Sequence, residues 1–257
     1  MEMEDRKKYL IIGASSDIGM ECIKQIAGKY RKNAKDAPLI LAHYNSSKDA
    51  LEKLASDLSS VDIIPIKADL TDENQSIALI NQVEARIKYP NYILHFPAMK
   101  FDYMRYKEIN TDYIRSQMNV QLFSFLTITR HFLPFMKKEY GNKVLVMLSS
   151  YVAQELPPKF MADYIITKYA LLGAMKAAAA EFGNKNLKIN AVSPIMMDTK
   201  FLDNMDPHIK ELNAMESSLK RVVTAKEMAP HIMEMLDSGY MENGHNQVID
   251  ESFFEEN

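Results

Sequence analysis

The sequence predicts an α/β fold, a doubly wound parallel sheet with helices on both faces, and three observations predict it. Short apolar runs alternate with helix-like segments along the chain. The runs are continuously apolar, as suits strands covered on both faces. The intervening segments are long enough for crossovers, which are right-handed in such sheets.

The first run, "YLIIG", leads into a glycine loop and the first helix. "PLILAHY", "IIPIKAD" and "NYILHFP" supply the second, third and fourth strands. A long helix over 110–137 leads to the fifth strand, "KVLVMLSS", and another over 161–183 to the sixth, "KINAVSP". A short "QVID" closes the sheet. With 257 residues and no Pro/Gly/Ser-rich bridge or internal repeat, residues 1–257 are expected to form one domain. "MEMEDRKK" is charged, and no apolar run reaches the 18 or so residues that span a bilayer, so a cytoplasmic protein with no membrane partner is expected. A formal net charge of −3 offers no overall drive toward nucleic acid. Cys22, the sole cysteine, falls in the first helix pattern as a small buried residue, and six histidines without ligand-like pairing predict no metal.

In such sheets ligands sit beyond the carboxyl ends of the strands, near the switch in strand order. The loop Gly13, Ser15, Ser16, Asp17, Ile18 and Gly19 is a candidate dinucleotide cradle: its glycines permit a tight turn, and its amides can face a pyrophosphate. A plain strand-to-helix connection with Ser16 or Asp17 as N-cap explains the same letters. As N-cap, the Asp17 carboxylate would turn inward to the helix amides. Asp69 could accept from an adenine amino group with Leu70 against the ring, or simply form a turn. "HYNSSK" lacks an acid that would grip a ribose 2′-hydroxyl; Asn45, Ser46, Ser47 and Lys48 could take a 2′-phosphate, which favours NADP(H) over NAD(H).

Tyr-x-x-x-Lys occurs at Tyr44, Tyr103 and Tyr164, but only Tyr164 and Lys168 lie in a helical stretch that puts both on one face. A phenol has an ordinary pKa of about 10, and a neighbouring ammonium lowers it toward the working range. Ser150, fourteen residues before Tyr164, could hydrogen-bond a carbonyl or alcohol oxygen. Asn119, inside the helix before the fifth strand, could anchor a water that connects Lys168 to solvent.

These positions resemble the short-chain dehydrogenase/reductase family, from about Tyr9 to Asp250, as a divergent member. The resemblance implies a Rossmann-type sheet of seven strands. It makes Asn119, Ser150, Tyr164 and Lys168 catalytic, and Asp69 the aspartate after the third strand. "NAVSPIMMDT" resembles the family's Asn-Ala-x-x-Pro-Gly-x-x-x-Thr, so Pro194, Met197 and Thr199 lie against cofactor, as do Pro97 and Ala98 after the fourth strand. Departures include Ile12 and Asp17 in the glycine loop, Phe96 to Met99 in place of Asn-Asn-Ala-Gly, Ile195 for a glycine, and "DESFFEEN" for the usual terminal Asp-Gly-Gly. Only 8 glycines occur in 257 residues, below the usual roughly 7 %, so side chains stand where backbone approaches cofactor in the family.

The resemblance also makes residues 196–222 a cover over substrate. Met196, Met197, Phe201 and Met205, with Phe101 and Met104, could line an adaptable apolar pocket, though core packing explains them equally. The expected activity is hydride transfer between NAD(P)(H) and a small-molecule carbonyl/alcohol pair, of 3-oxoacyl-reductase type, with Ser150, Tyr164, Met196 and Phe201 on the substrate side. A homodimer or homotetramer through the helices 110–137 and 161–183 is implied. A non-catalytic scaffold that binds a nucleotide or a protein partner is the rival, because glycines are what changed. A sugar-nucleotide epimerase is disfavoured, since no enlarged C-terminal substrate domain follows.

Overall fold

The structure, a computed structural model, describes residues 6–32, 34–100, 103–237 and 242–255. Its first half alternates strands β1 (Lys8–Ile12), β2 (Leu39–Tyr44), β3 (Asp62–Lys67) and β4 (Tyr92–His95) with helices α1 (Asp17–Ala27), α2 (Lys48–Asp57) and α3 (Glu73–Ile87). The second half contains α4 (Thr111–Met118), α5 (Ser124–Met136), β5 (Asn142–Met147), α6 (Ala162–Phe182) and β6 (Leu187–Pro194). It ends with β7 (Met197–Asp198), α7 (Pro207–Glu216), β8 (Val223–Thr224), α8 (Ala225–Asp237) and β9 (Asn246–Ile249). Seven strands form one parallel sheet in the order β3-β2-β1-β4-β5-β6-β9, the Rossmann-type arrangement expected.

Side-chain alternation along the strands divides the core into two layers. From β1, Tyr9 and Ile11 point to the face covered by α1 and α8, with Cys22, Ile23, Met228 and Ile232. Leu10 and Ile12 point to the opposite face, against Leu79, Val83, Phe125, Phe132 and Leu171 of α3, α5 and α6. Both faces are therefore dry, which is why the strands read as unbroken apolar runs. The order reverses between β1 and β4, and a crevice opens at their carboxyl ends.

Three details differ from the expected elements. The helix over 110–137 is interrupted: a π-helical turn, Asn119–Phe123, separates α4 from α5. One extra residue in that turn rotates the side chains on either side of it, with consequences at the site. The covering segment contains structure of its own: β7 and β8 pair in parallel as a second, two-stranded sheet, with a short 3-10 turn, Lys200–Leu202, and α7 between them. The altered C-terminus forms one turn, Glu251–Phe254, whose Phe253 and Phe254 rings stand edge-on to His231 of α8. Among the described residues no helix is long and apolar enough to cross a membrane.

Candidate active site

A cleft of about 610 Å³ runs along the carboxyl ends of the strands, from Asn45 past the glycine loop to Tyr164 and Phe201. The loop's geometry depends on its glycines. Gly13 has φ +77°, and a Cβ there would stand 3.0 Å from Pro97 N; a Cβ on Gly19 would stand 2.6 Å from Gly13 O. Gly13, Ser15, Ser16, Asp17 and Ile18 face the cleft, while Gly19 packs beneath them. Ser16 is the N-cap of α1: its hydroxyl accepts from Gly19 N–H at 3.1 Å and donates to Gly13 O at 2.7 Å. Asp17 therefore does not turn inward. Its carboxylate reaches across the cleft and accepts from the Lys200 backbone N–H at 2.7 Å.

The loop is pinned by a strand-end residue to which the sequence alone assigned no role. His43, buried at the end of β2, accepts from Gly13 N–H at its Nδ1 (3.0 Å) and donates from Nε2 to Ala68 O (3.0 Å). Burial lowers its pKa to about 4, so the imidazole is neutral and can serve as acceptor and donor at once. A histidine within the otherwise apolar "LILAHY" was the available signal.

At the adenosine end, Asn45 and Ser47 face the cleft, but Ser46 does not, and Lys48 pairs with Glu52 at 2.7 Å on its own helix. Both follow the end of β2 at Tyr44, Ser46 in a bend and Lys48 as the first residue of α2, so the structure brings Asn45 and Ser47, and not these two, to the cleft wall. Leu70 faces the cleft beside Asp69. One oxygen of Asp69 accepts from both the hydroxyl (2.7 Å) and the backbone N–H (2.9 Å) of Thr71, bonds that hold the carboxyl below its ordinary range. Asp69 thus forms a turn, one of the two alternatives its position allowed.

At the other end α6 presents Tyr164 and Lys168 on one face, with Lys168 Nζ 5.4 Å from the centroid of the Tyr164 ring. The ammonium is buried, 1 % exposed, and donates to Met147 O at 3.1 Å. Burial lowers its pKa to about 7. Burial also raises the Tyr164 phenol above its ordinary value, and a hydrogen bond from Ser149 opposes that rise. Desolvation is the largest influence on both groups, so the phenol stands above its ordinary value and not below it.

The serine against Tyr164 is Ser149. Its side chain faces the cleft, whereas Ser150 is buried off the cleft in the 3-10 turn Ser150–Ala153. Ser149 is extended, φ −154° and ψ 146°, and continues the two-residue alternation of Leu145 and Met147, so Ser150 turns the other way. Asn119 also differs. Its amide donates to Thr71 O at 2.9 Å beside a second cavity of about 340 Å³, away from Lys168. The π-helical turn instead buries Gln121. Its carbonyl accepts from His95 Nε2 at 2.8 Å, and its amide donates to Gln117 Oε1 at 2.7 Å. Gln117 in turn donates to Met99 O and Lys100 O at 3.3 and 3.1 Å.

Pro97, Ala98, Met99, Pro194, Ile195, Met197 and Thr199 line the middle of the cleft, so Met99 and Ile195 form wall without closing it. On the substrate side, Met196 and Phe201 face the cleft together with Tyr151 and Met161, and the Phe201 ring lies 5.8 Å from Tyr164. Met205 is instead packed in a small core with Met161 and Ile165, Met104 lies outside the cleft, and Phe101 lies outside the described residues.

The parallel sheet, the glycine loop at its switch point and the helical Tyr/Lys pair define a nucleotide-fold oxidoreductase. Residues 13–251 match the family model described as Enoyl-(Acyl carrier protein) reductase, and the chain belongs to the short-chain dehydrogenase/reductase family, whose members are oxidoreductases of alcohol and carbonyl groups. It is 24 % identical over 213 residues to the 3-oxoacyl-acyl-carrier-protein reductase FabG of Staphylococcus aureus (strain MW2), covering 81 % of this chain and 82 % of that one. Similar folds include a blue fluorescent protein from a metagenomic library in complex with NADPH (TM-score 0.82, 20 % identity, 96 % and 97 % coverage). L-sorbose reductase from Gluconobacter frateurii, complexed with NADPH and L-sorbose, is another (TM-score 0.79, 19 % identity, 97 % of each chain).

Proposed function

We propose that this chain reduces a ketone with NADP(H) in preference to NAD(H), and that the substrate is of 3-oxoacyl type. The observation that carries this reading is the convergence of Tyr164, Ser149 and Lys168 on one end of a cleft whose other end is the glycine loop. The relative named as a 3-oxoacyl reductase and the NADPH-bound structures of similar fold support the substrate and cofactor class.

The residues fit a dinucleotide. The space that a Cβ would fill at Gly13 is taken by the Phe96–Pro97 backbone after β4, and that at Gly19 by close packing of the loop on α1, which leaves the amides of the α1 N-terminus at the cleft. Asn45 and Ser47 would hold a 2′-phosphate, with Leu70 against the adenine. Pro194, Met197 and Thr199 would hold the nicotinamide end. The bound cofactor supplies the hydride taken up by the carbonyl carbon.

The chain's own residues handle the proton. Ser149 and Tyr164 donate hydrogen bonds to the carbonyl oxygen, and the Tyr164 proton passes to that oxygen as it gains charge. Lys168, buried behind the ring, stabilises the resulting phenolate and restores its proton. A group whose pKa sits near 7 suits that task. Met196, Phe201 and Tyr151 form the apolar side that accepts the carbon chain. Residues 1–257 act as one catalytic domain, with 196–222 as its cover. The protein works in the cytoplasm as a homodimer or homotetramer through α5 and α6, where Leu126, Ile166 and Tyr169 are exposed, with Phe123 of the adjoining π-helical turn.

Titration with NADPH and NADH, followed by nucleotide fluorescence, tests the reading. Tighter binding of NADPH is expected. No binding of either at about millimolar concentration, far weaker than the usual range for such enzymes, would leave the scaffold reading instead.

A further inference from the structure

The cofactor reading leaves Asp17 unexplained, because a carboxylate beside the amides that would face a diphosphate opposes it. The structure gives that carboxylate a different partner. Lys200, whose N–H it takes at 2.7 Å, is 183 residues away and opens the 3-10 turn Lys200–Leu202 in the covering segment. Thr199, at the N-cap position of this turn, makes no side-chain capping bond, so the exposed turn amide has its acceptor supplied from the glycine loop. The turn presents Phe201 against the Tyr164 ring at 5.8 Å and buries Leu202 beside Met161 and Ile165. A second tie, Lys100 to Asp203 at 3.8 Å, holds the same segment from the β4 side.

We propose that Asp17 is a positioning residue, capping Lys200 from across the cleft so that the first turn of the cover stays seated over Tyr164. This rests on the reading that a dinucleotide occupies the cleft. On that reading the same carboxylate weakens the hold on the cofactor's diphosphate, so the chain combines a closed substrate side with a looser cofactor.

The two consequences separate in two variants. Asp17→Asn keeps an oxygen that can accept from Lys200 N–H and removes the charge; Asp17→Gly removes both. Hydrogen–deuterium exchange on the protein alone should show amides of residues 199–203 exchanging about tenfold or more faster in Asp17→Gly, and near the wild-type rate in Asp17→Asn. NADPH should bind both variants roughly tenfold more tightly. In turnover, Asp17→Gly should raise KM for the carbonyl substrate while Asp17→Asn restores it. Unchanged exchange in Asp17→Gly overturns the cap, and unchanged NADPH affinity in both variants overturns the charge effect. If wild type and variants alike bind no nicotinamide cofactor, the enzyme reading has failed, yet the exchange measurement still decides whether Asp17 holds the cover.

Discussion

Burial acts in opposite senses on the Tyr164 phenol and the Lys168 ammonium, raising one pKa and lowering the other, because desolvation disfavours whichever form is charged. Proton donation by Tyr164 therefore depends on partners that stabilise charge as it develops. Tyr164→Phe should lose about 10³-fold in carbonyl reduction while NADPH affinity stays within about twofold of wild type. Ser149→Ala should lose about 10²-fold and Ser150→Ala much less, as read from kcat; the reverse order would return the role to Ser150. The buried histidines set the acid limit. His43, lowered to about 4, and His95, lowered to about 3, bind fewer protons folded than unfolded. Between those values and about 6.5 stability rises with pH; it is fully present above about 6.5 and lost as pH falls. His43 alone accounts for about 3 kcal/mol, and thermal melts from about pH 7 to pH 5 should show the decline. His43→Gln should flatten the pH dependence while lowering stability at neutral pH. Ser149 and Ser150 illustrate the limit of local reading: counting back from Tyr164 crosses an irregular loop whose path the spacing does not fix, and only the extended backbone at Ser149 decides which hydroxyl meets the phenol.

At the scale of elements, the β1–α1 connection and the α4–α5 junction behave differently. The glycine loop was legible because its requirements are local: a left-handed Gly13, close approach at Gly19, and Ser16 positioned to cap the helix. Gly19→Ala would drive a Cβ to 2.6 Å from Gly13 O and 2.8 Å from Ala14 Cα. A loss of about 2–3 kcal/mol is expected, with a Tm lower by about 5 °C or more and weakened NADPH binding. The α4–α5 junction was not legible. One wide turn at Asn119–Phe123 turns Asn119 toward Thr71 and brings Gln121 under β4, beside His95. Helical periodicity carried through such a turn assigns side chains to the wrong face. Gln121→Ala should accordingly impair turnover more than Asn119→Ala, as measured by kcat with saturating NADPH.

For the whole molecule, the sheet order brings residues from the two halves of the chain to one crevice, and the exposed apolar residues of α5 and α6 mark its outer face. If that face pairs subunits, sedimentation should show a dimer or larger for wild type, and a monomer when Ile166→Lys and Tyr169→Glu are combined. What the sequence by itself determined is everything carried by a short backbone period or a single turn. This comprises the alternation of buried strands and helices, the glycine loop, and the helical pair Tyr164 and Lys168. What only the tertiary structure decided is which side chains meet across the fold: Asp17 with Lys200, His43 with Gly13, Ser149 with Tyr164, and Gln121 with His95. The physical reason is that a helix or strand sets the direction of its side chains within a few residues, whereas contacts between distant segments depend on loop lengths, irregular turns and the packing of the entire sheet.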